Sequence, residues 1–552
     1  MGLNRRIARG SLLAAAVGLG ALALASHGFG QARSTASCNV DSLQAAAPAD
    51  TTVFSADMVE TPVRNCRVEG FVTTNDPRPN RNYFRLQLPE RSAWKGRYYF
   101  IGLGGSAGYV PTDSQIPGGN PVAKGFATAG TDTGHRAPGL DWSFLSDPAM
   151  AADHIHRGAH VVAVSTQQMT KAYYGVDKIW RYHSGCSGGG RMGQEAIARH
   201  PEDFDGVLLG WPGGRHEPGH PTPPSNGSSF DIQVAEMTRE PGSWLSPAKL
   251  KFAEEKVTEA CDMTDGAKDR VIWDHRLCKF NFNTLKCKAG DAPNCLTQPE
   301  ITSIENLLNK TAMPISNMSM WMFLGRVPPP WDPSPAPENS AKTSSALVIE
   351  TTWARAYLNQ PDRDIVKNPL TKAEIEQMNA AQAKIGFNQY NNPDLVPFEK
   401  AGHKAIYWAG VSDPCCSNVA VENYIKDQGK KLGSADRLAK FVAYYNIPGA
   451  GHCGGGTGPI DHADQLMQTL IAWVEEGKQP GAVITHRGAE RAQYIFRTNA
   501  SESGVLIPAP VGVARDFLIC PFPMVSVFDK AKANVPGAVY EAANWSCRKS
   551  RT

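Results

Sequence analysis

The sequence predicts an α/β fold in which a sheet-based domain is interrupted by a large insertion. Three observations carry this. Short apolar, β-rich runs bounded by Gly and Pro recur at both ends of the chain: RYYFIGL at 97–103, IWRYHSG at 179–185, DGVLLGW at 205–211, AIYWAGV at 405–411 and FVAYYNI at 441–447. Such runs suit the buried strands of an α/β sheet. Helix-like segments alternate with them. At 460–477 the residues Ala463, Leu466, Leu470 and Trp473 fall on one helical face, and Gly477 and Pro480 stop the run. Third, the character changes between about 212 and 401. Pro, Gly and Ser cluster at 212–229, PPPWDPSPAPE occupies 328–338, and the AIYWAGV strand then resumes. The expected organisation is a sheet domain at 33–212 and 401–552, with a lid domain at 213–400 over the loops of the sheet. A separate tethered domain is the alternative for that insert.

The chain has 552 residues, 41% hydrophobic and 20% charged, with a formal charge of +3. That length accommodates a large core and an insert. The balance fits a soluble globular protein and gives no reason to expect nucleic acid or an anionic membrane as partner. Nothing implies a protein partner. Arg5, Arg6 and Arg9 precede an apolar run from Leu12 to Ala25 that is short for a membrane span. Residues 1–32 therefore read as a signal peptide, with Ala23-Leu24-Ala25 or Gly30-Gln31-Ala32 as cleavage options; an uncleaved anchor is the other possibility. The residues after Arg5-Arg6 fit a twin-arginine route poorly. The mature protein is expected to be secreted or periplasmic, away from the membrane once cleaved. The twelve cysteines can then pair.

Gly185-Cys186-Ser187-Gly188-Gly189 follows one of the strand-like runs and precedes a helix-like segment, Arg191 to Arg199. A nucleophile elbow requires that context. The glycines permit a tight turn that projects the serine oxygen and aims the next N–H into the site. A serine hydroxyl needs a base, and the base needs an orienting acid. In α/β hydrolases the order is Ser, then Asp or Glu, then His. Asp413 ends the AIYWAGV strand in GVSDP, and His452 lies in the glycine-rich loop after FVAYYNI. Both sit at strand ends, where such groups belong. Taken alone, Asp413 is better read as a turn-forming residue before Pro414, and His452 has the alternative of a loop histidine with no task.

The cysteines beside them bear on those alternatives. Cys186 precedes Ser187 and Cys453 follows His452. A disulfide needs Cα atoms roughly 5.5 Å apart. If these two cysteines bond, Ser187 and His452 must be neighbours, and Cys186 is a clamp. The rival reading is a thiol enzyme with a Cys186–His452 pair; export and an even cysteine count weigh against it.

CSGGG, the SDP aspartate and HC together resemble the CS–D–HC arrangement of the tannase and feruloyl esterase family. The likeness extends through AYYGVDKIWRYHSGCSGGGRMG, HPEDFDGV, TDTGH at 131–135, GPIDHADQLMQTLIAWVEEG at 458–477 and CPFP at 520–523. It covers most of the mature chain, more weakly in the insert. The resemblance implies an α/β-hydrolase fold with a lid-domain insertion, and a triad of Ser187, Asp413 and His452. Ser187 would attack the ester carbonyl, His452 would move the proton, and Asp413 would hold the imidazole. The oxyanion donors would be the N–H of Gly188 and one from the glycine loop 101–108, Gly105 before Gly104. The family includes the hydrolase of mono(2-hydroxyethyl) terephthalate. That enzyme has an acidic residue, and many members a threonine, where this chain has Gly188.

Residues 261–278 read CDMTDGAKDRVIWDHRLC. Asp262, Asp265 and Asp269 share one short loop turned by Gly266, and three close carboxylates repel unless a cation neutralises them. Calcium takes such oxygens, although the spacing is not that of an EF-hand. The loop resembles the calcium loop of the same family's lid, which implies structural Ca²⁺ held by Asp262, Asp265 and Asp269 and by the carbonyls of Ala267 and Val271. The alternative is a solvated acidic turn. The expected pairs are Cys38–Cys66, Cys186–Cys453, Cys261–Cys278, Cys287–Cys295 and Cys520–Cys547, the last two from proximity and the family pattern. Cys415 and Cys416 are left over, as a vicinal disulfide or as two thiols.

His154, His156 and His160 invite a zinc reading, but no nearby acid or thiol completes a tetrahedral set, so packing or capping roles are expected. Asp132 and His135 read as structural links near the site. Trp321, Phe323, Trp331 and Trp353 could wall a pocket for a flat aromatic acid, and Arg326 or Arg355 could meet a substrate carboxylate; core packing and solvated arginines are the alternatives. The reading is a secreted serine carboxylic ester hydrolase acting, through an acyl-enzyme, on small esters of feruloyl, galloyl or hydroxybenzoyl type. A terephthalate monoester hydrolase is the alternative enzyme. A calcium-dependent binding protein that has lost catalysis is the alternative of another class.

Overall fold

A computed structural model describes residues 35–111, 120–137, 140–212, 234–236, 239–311, 345–365, 367–386, 393–413, 416–488, 493–497, 504–508 and 514–550. The expected leader at 1–32 lies outside these residues, as do Trp321, Phe323, Arg326, Trp331 and Cys415. No described helix is long and apolar enough to cross a membrane.

The architecture is α/β: helices pack on a mixed, mostly parallel central sheet. The central sheet comprises β1 (Thr51–Val59), β2 (Asn65–Thr74), β3 (Asn80–Pro89), β4 (Arg97–Gly102), β5 (Phe126–Thr131), β6 (Trp180–Cys186), β7 (Gly206–Gly210), β8 (Lys404–Gly410) and β9 (Val442–Ile447). Their order is β1-β2-β3-β5-β4-β6-β7-β8-β9. The pairs among β1, β2, β3 and β5 are antiparallel, and the remaining pairs are parallel. The five apolar runs of the sequence are β4 and β6 to β9. Strands β1 to β3 were less visible because β2 and β3 bury mainly alternate positions, a weaker signal than a continuous apolar run.

Side-chain alternation along the parallel strands divides the core in two. Val207, Leu209 and Tyr407 join Val162 and Met169 of α1 (Gly158–Tyr174) on one face. Leu208, Ile406 and Trp408 face the other side, and meet residues that lie further along the chain. Helix α2 (Gly188–Arg199) follows β6. In the insert lie α3 (Pro247–Cys261), α4 (Gln298–Thr311), α5 (Ser345–Tyr357) and α6 (Lys372–Lys384), and β8 is followed by α7 (Asn418–Lys431). The helix expected at 460–477 is α8 (His462–Glu476), ended by Gly477 at φ 70°. Its Leu466, Leu470 and Trp473 pack with Leu208, Ile406 and Trp408.

Because β7 and β8 are adjacent and parallel, residues 211–403 leave the sheet and return to the neighbouring strand. The insert is not uniform. Leu250, Val257, Phe282, Leu296, Ile301 and Ile304 form a core of their own around α3 and α4. Leu347, Ile349 and Trp353 of α5 and Met378 of α6 instead belong to the main core. Trp353 is 1% exposed and 5.7 Å from Trp142 in an edge-to-face pair, so it packs rather than walls a pocket. Arg355 donates through Nε to the Arg363 carbonyl.

After α8 come β10 (Val483–Arg487), β11 (Gln493–Arg497), β12 (Gly504–Pro508), β13 (Arg515–Ile519), β14 (Met524–Phe528) and β15 (Trp545–Lys549), paired as β10–β13, β11–β12 and β14–β15. Trp545 stacks on Trp273 of the insert at 4.0 Å between ring centroids. The five expected disulfides are all formed. Cys416 is also disulfide-bonded, which removes the thiol option for that residue.

Candidate active site

Strand β6 ends at Cys186 and α2 begins at Gly188, leaving Ser187 alone at the turn with φ 59° and ψ −121°. A non-glycine residue in this region is strained and persists only where its surroundings hold it. Here the Ser187 N–H donates to the Gly210 carbonyl, and Arg191 N–H donates to the Ser187 carbonyl, both at 2.8 Å. The turn also needs glycine. A methyl group on Gly189 would stand 2.2 Å from the Gly102 carbonyl oxygen. Ser187 is half-buried, so a ligand can reach it.

Asp413 follows β8 and His452 follows β9. His452 Nδ1 is 2.7 Å from Asp413 Oδ2, and both side chains are buried. An ionised carboxylate only accepts. The imidazole therefore carries its proton on Nδ1 and leaves Nε2 as an acceptor, the arrangement of a general base. The two loops are tied to each other: Ser412 N–H donates to the Ala450 carbonyl at 2.9 Å, and Val411 N–H to the Ile447 carbonyl at 3.0 Å.

Cys186 and Cys453 are bonded, with Cα atoms 5.7 Å apart across a sequence separation of 267. This leaves Cys186 no thiolate, so it cannot act as a nucleophile. The bridge brings the elbow and the His452 loop together. The Trp211 ring lies edge-on to His452 at 6.3 Å. The Cys416 sulfur shares a cluster with Asp413 and His452, their ligand atoms all within 4.8 Å. A disulfide sulfur is a poor metal ligand, so the cluster reads as an acid–base pair beside a second bridge.

Gly188 and Gly105 are in close main-chain contact. A methyl group on Gly188 would stand 2.3 Å from the Gly105 carbonyl oxygen and 3.2 Å from its nitrogen. Gly105 has φ 60°, and the loop after β4 turns again at Ala107 and Gly108 with φ 60° and 73°. Two N–H groups on adjoining loops beside a serine can receive a developing negative charge.

The three histidines of the segment before β6 do not converge on a metal. His154 Nδ1 lies 3.2 Å from Thr133 Oγ1. His160 pairs with Asp203 at 2.8 Å and stacks on His200. Burial, reinforced by Arg199 and Arg157, lowers His156 to about 4. Asp132 accepts from the N–H groups of Tyr83 and Gly134, and His135 stacks on Phe144 at 3.5 Å between centroids. Sequence reasoning passed over Arg191, His154 and Thr133 as a connected set; nothing in their spacing announces it.

In the acidic loop, Gly266 and Arg270 turn the chain at φ 94° and 62°. The Asp262 carboxylate accepts from the N–H groups of Asp269 and Arg270, and Asp265 from those of Ala267 and Trp273. Burial pushes Asp265 up to about 8, with Asp269 and Asp262 adding to the rise, and Asp262 is also raised by burial. A cation between these carboxylates would relieve both effects, and hard oxygens suit calcium. The residues thus fit the group in chemistry. One partner was not foreseen: Arg515 donates to Asp269 Oδ2 at 2.7 Å. That contact ties the loop to β13, and Ala267, Val271 and Trp273 pack with Phe517 and Trp545.

The sequence model of the family described as tannase and feruloyl esterase matches residues 66–547. A probable feruloyl esterase B-2 of Aspergillus terreus is 28% identical over 447 residues, covering 77% of this chain and 79% of the relative. Among solved structures, feruloyl esterase B from Aspergillus oryzae aligns with a TM-score of 0.66 at 20% identity, covering 92% of this chain and 100% of that one. The tannin acyl hydrolase from Aspergillus niger aligns with a TM-score of 0.66 at 17% identity, covering 94% and 97%.

Proposed function

The chain belongs to the tannase and feruloyl esterase family and is a carboxylic ester hydrolase, and on that premise we propose that it works as a serine esterase on esters of aromatic acids, of feruloyl, galloyl or hydroxybenzoyl type. Ser187 attacks the ester carbonyl while His452 Nε2 takes its proton. The N–H groups of Gly188 and Gly105 receive the oxyanion. His452 then protonates the leaving alcohol, and the acyl group stays on Ser187. Water enters and gives a proton to His452 as its oxygen bonds the acyl carbon; His452 then returns a proton to Ser187 Oγ as the acyl–Oγ bond breaks and the acid leaves. Asp413 keeps the imidazole oriented and stabilises its charged form throughout.

The observation that carries this reading is the Asp413–His452 pair at 2.7 Å, tied by the Cys186–Cys453 bridge to the strained Ser187 turn. Residues 213–400 act as a lid; Asp262, Asp265, Asp269 and the carbonyls of Ala267 and Val271 would hold calcium there, and its charge would steady the loop that Arg515 ties to β13. Export after loss of residues 1–32 agrees with the disulfide form of the cysteines among the described residues. Kinetics on ethyl ferulate, methyl gallate, a terephthalate monoester and ethyl butyrate test the substrate class. The expected result is kcat/KM at least ~10²-fold higher on an aromatic-acid ester than on butyrate. Equal rates on butyrate, or preference for it, would contradict the assignment.

A further inference from the structure

Behind the loop that carries Gly105 runs a chain of side chains that ends on an unpartnered ring nitrogen. Arg191, on the first turn of α2 after Ser187, donates through Nη2 to His154 Nε2 at 3.0 Å. It also donates to the carbonyls of His154 and Ile155 at 3.1 and 2.9 Å. A guanidinium has donors only, so His154 Nε2 accepts and the neutral ring keeps its proton on Nδ1. That N–H meets Thr133 Oγ1 at 3.2 Å. The hydroxyl then has its own proton to give, and His135 Nδ1 stands 3.4 Å away. No other acceptor for it occurs among the described residues, and the Thr133 carbonyl is a longer, competing contact with the same nitrogen at 3.5 Å. His135 therefore carries its proton on Nε2. Both rings stay neutral because burial lowers them, His135 to about 4 and His154 well below the usual histidine range.

His135 is 3% exposed, and its Nε2 has no hydrogen-bond partner among the described residues. A methyl group on Gly108 would stand 3.0 Å from that nitrogen. The main chain of Ser106 comes close enough to favour a proton on the ring, without completing a hydrogen bond to Nε2. The nitrogen thus lies against the 104–108 loop, and the chain of contacts leads back through α2 to Ser187. Thr133 itself is held at φ 55°, unusual for a β-branched residue, and keeps the hydroxyl between the two rings.

We propose that His135 is a positioning residue: its ring, wedged against the 104–108 loop with Nε2–H turned toward the Ser106 main chain, keeps that loop where the Gly105 N–H meets the developing oxyanion. This rests on the oxyanion role assigned to Gly105 above. The test is kinetics on methyl ferulate with His135→Leu, His135→Gln and Thr133→Val, with melting temperatures recorded for each. Gln restores an N–H near the Nε2 position; Val removes the hydroxyl that fixes the tautomer. His135→Leu and Thr133→Val should each lower kcat by ~10–10²-fold with KM changed by less than about threefold, and His135→Gln should recover most of the loss. Unchanged kcat in folded His135→Leu, or a Gln variant as impaired as the Leu variant, would overturn the inference while leaving the esterase reading intact. Should His135→Leu not fold, Thr133→Val decides by the same criterion. A parent protein that hydrolyses no ester would overturn the function reading and this inference with it.

Discussion

Cys186 and Cys453 are bonded to each other although 267 positions separate them, and each is the immediate neighbour of a proposed catalytic residue, Ser187 or His452. A crosslink that closes so long a loop constrains the unfolded chain strongly. Replacing both cysteines by alanine should lower stability by ~2–5 kcal/mol. Activity below the melting transition should fall as well, because the two loops then lose their fixed register. Thermal melts and initial rates on ethyl ferulate check this; a double variant with unchanged kcat would show that the bridge is structural only.

The Asp413–His452 contact yields a sharper expectation. Asn in place of Asp413 keeps the shape but presents the wrong partner to Nδ1, and the imidazole turns to its other tautomer. Asp413→Asn should lower kcat by ~10⁴-fold with the fold intact. Single-turnover and steady-state rates measure it. A loss below about tenfold would mean that His452 does not depend on this carboxylate.

Gly188 sits where the structure leaves no room for a side chain. The Gly105 loop lies so close that a side chain at 188 collides with its carbonyl oxygen at 2.3 Å. Gly188→Ala should displace one proposed donor and cost ~10²-fold in kcat/KM. If the variant retains full activity, the two loops are further apart in solution than their packing here implies.

The acidic loop predicts a calcium-dependent pH response. Asp265 has its pKa raised from 3.8 to about 8 in the fold, so the native state binds more protons than the unfolded chain between those values. Stability is then fullest below pH 4 as far as this group is concerned, and is lost as pH rises toward 8. Asp132, pushed up to about 7 by burial, has the same sign but does not involve calcium. Calcium should offset the Asp265 contribution, so EDTA should lower the melting temperature more at pH 8 than at pH 5. Melts with and without EDTA at both values test it. An equal effect at both, or none, would contradict a metal at this loop.

The parallel half of the sheet was legible because a strand buried on both faces must be apolar at every position, as in Val207, Leu208 and Leu209. The nucleophile turn was legible because a serine forced to positive φ needs small neighbours, and Gly188 to Gly190 supply them. The antiparallel strands β1 to β3 were less visible, since half-buried strands read as ordinary alternation. The grouping of α5 with the main core was hidden for another reason. Trp353 looks like any exposed-pocket aromatic in sequence, and only its contact with Trp142, far away in the chain, makes it a core residue. Arg515 and Asp269 meet across a separation of 246, which no local pattern encodes. The relay from Arg191 to His135 is of the same kind.

The central claim is that Ser187 is the nucleophile, and covalent labelling tests it most directly. A fluorophosphonate added to the folded, calcium-loaded protein should give one adduct per chain by intact mass, mapped to the Cys186–Ser187 peptide, and Ser187→Ala should abolish it. No adduct in the folded protein, or an adduct that persists in Ser187→Ala, would contradict the account.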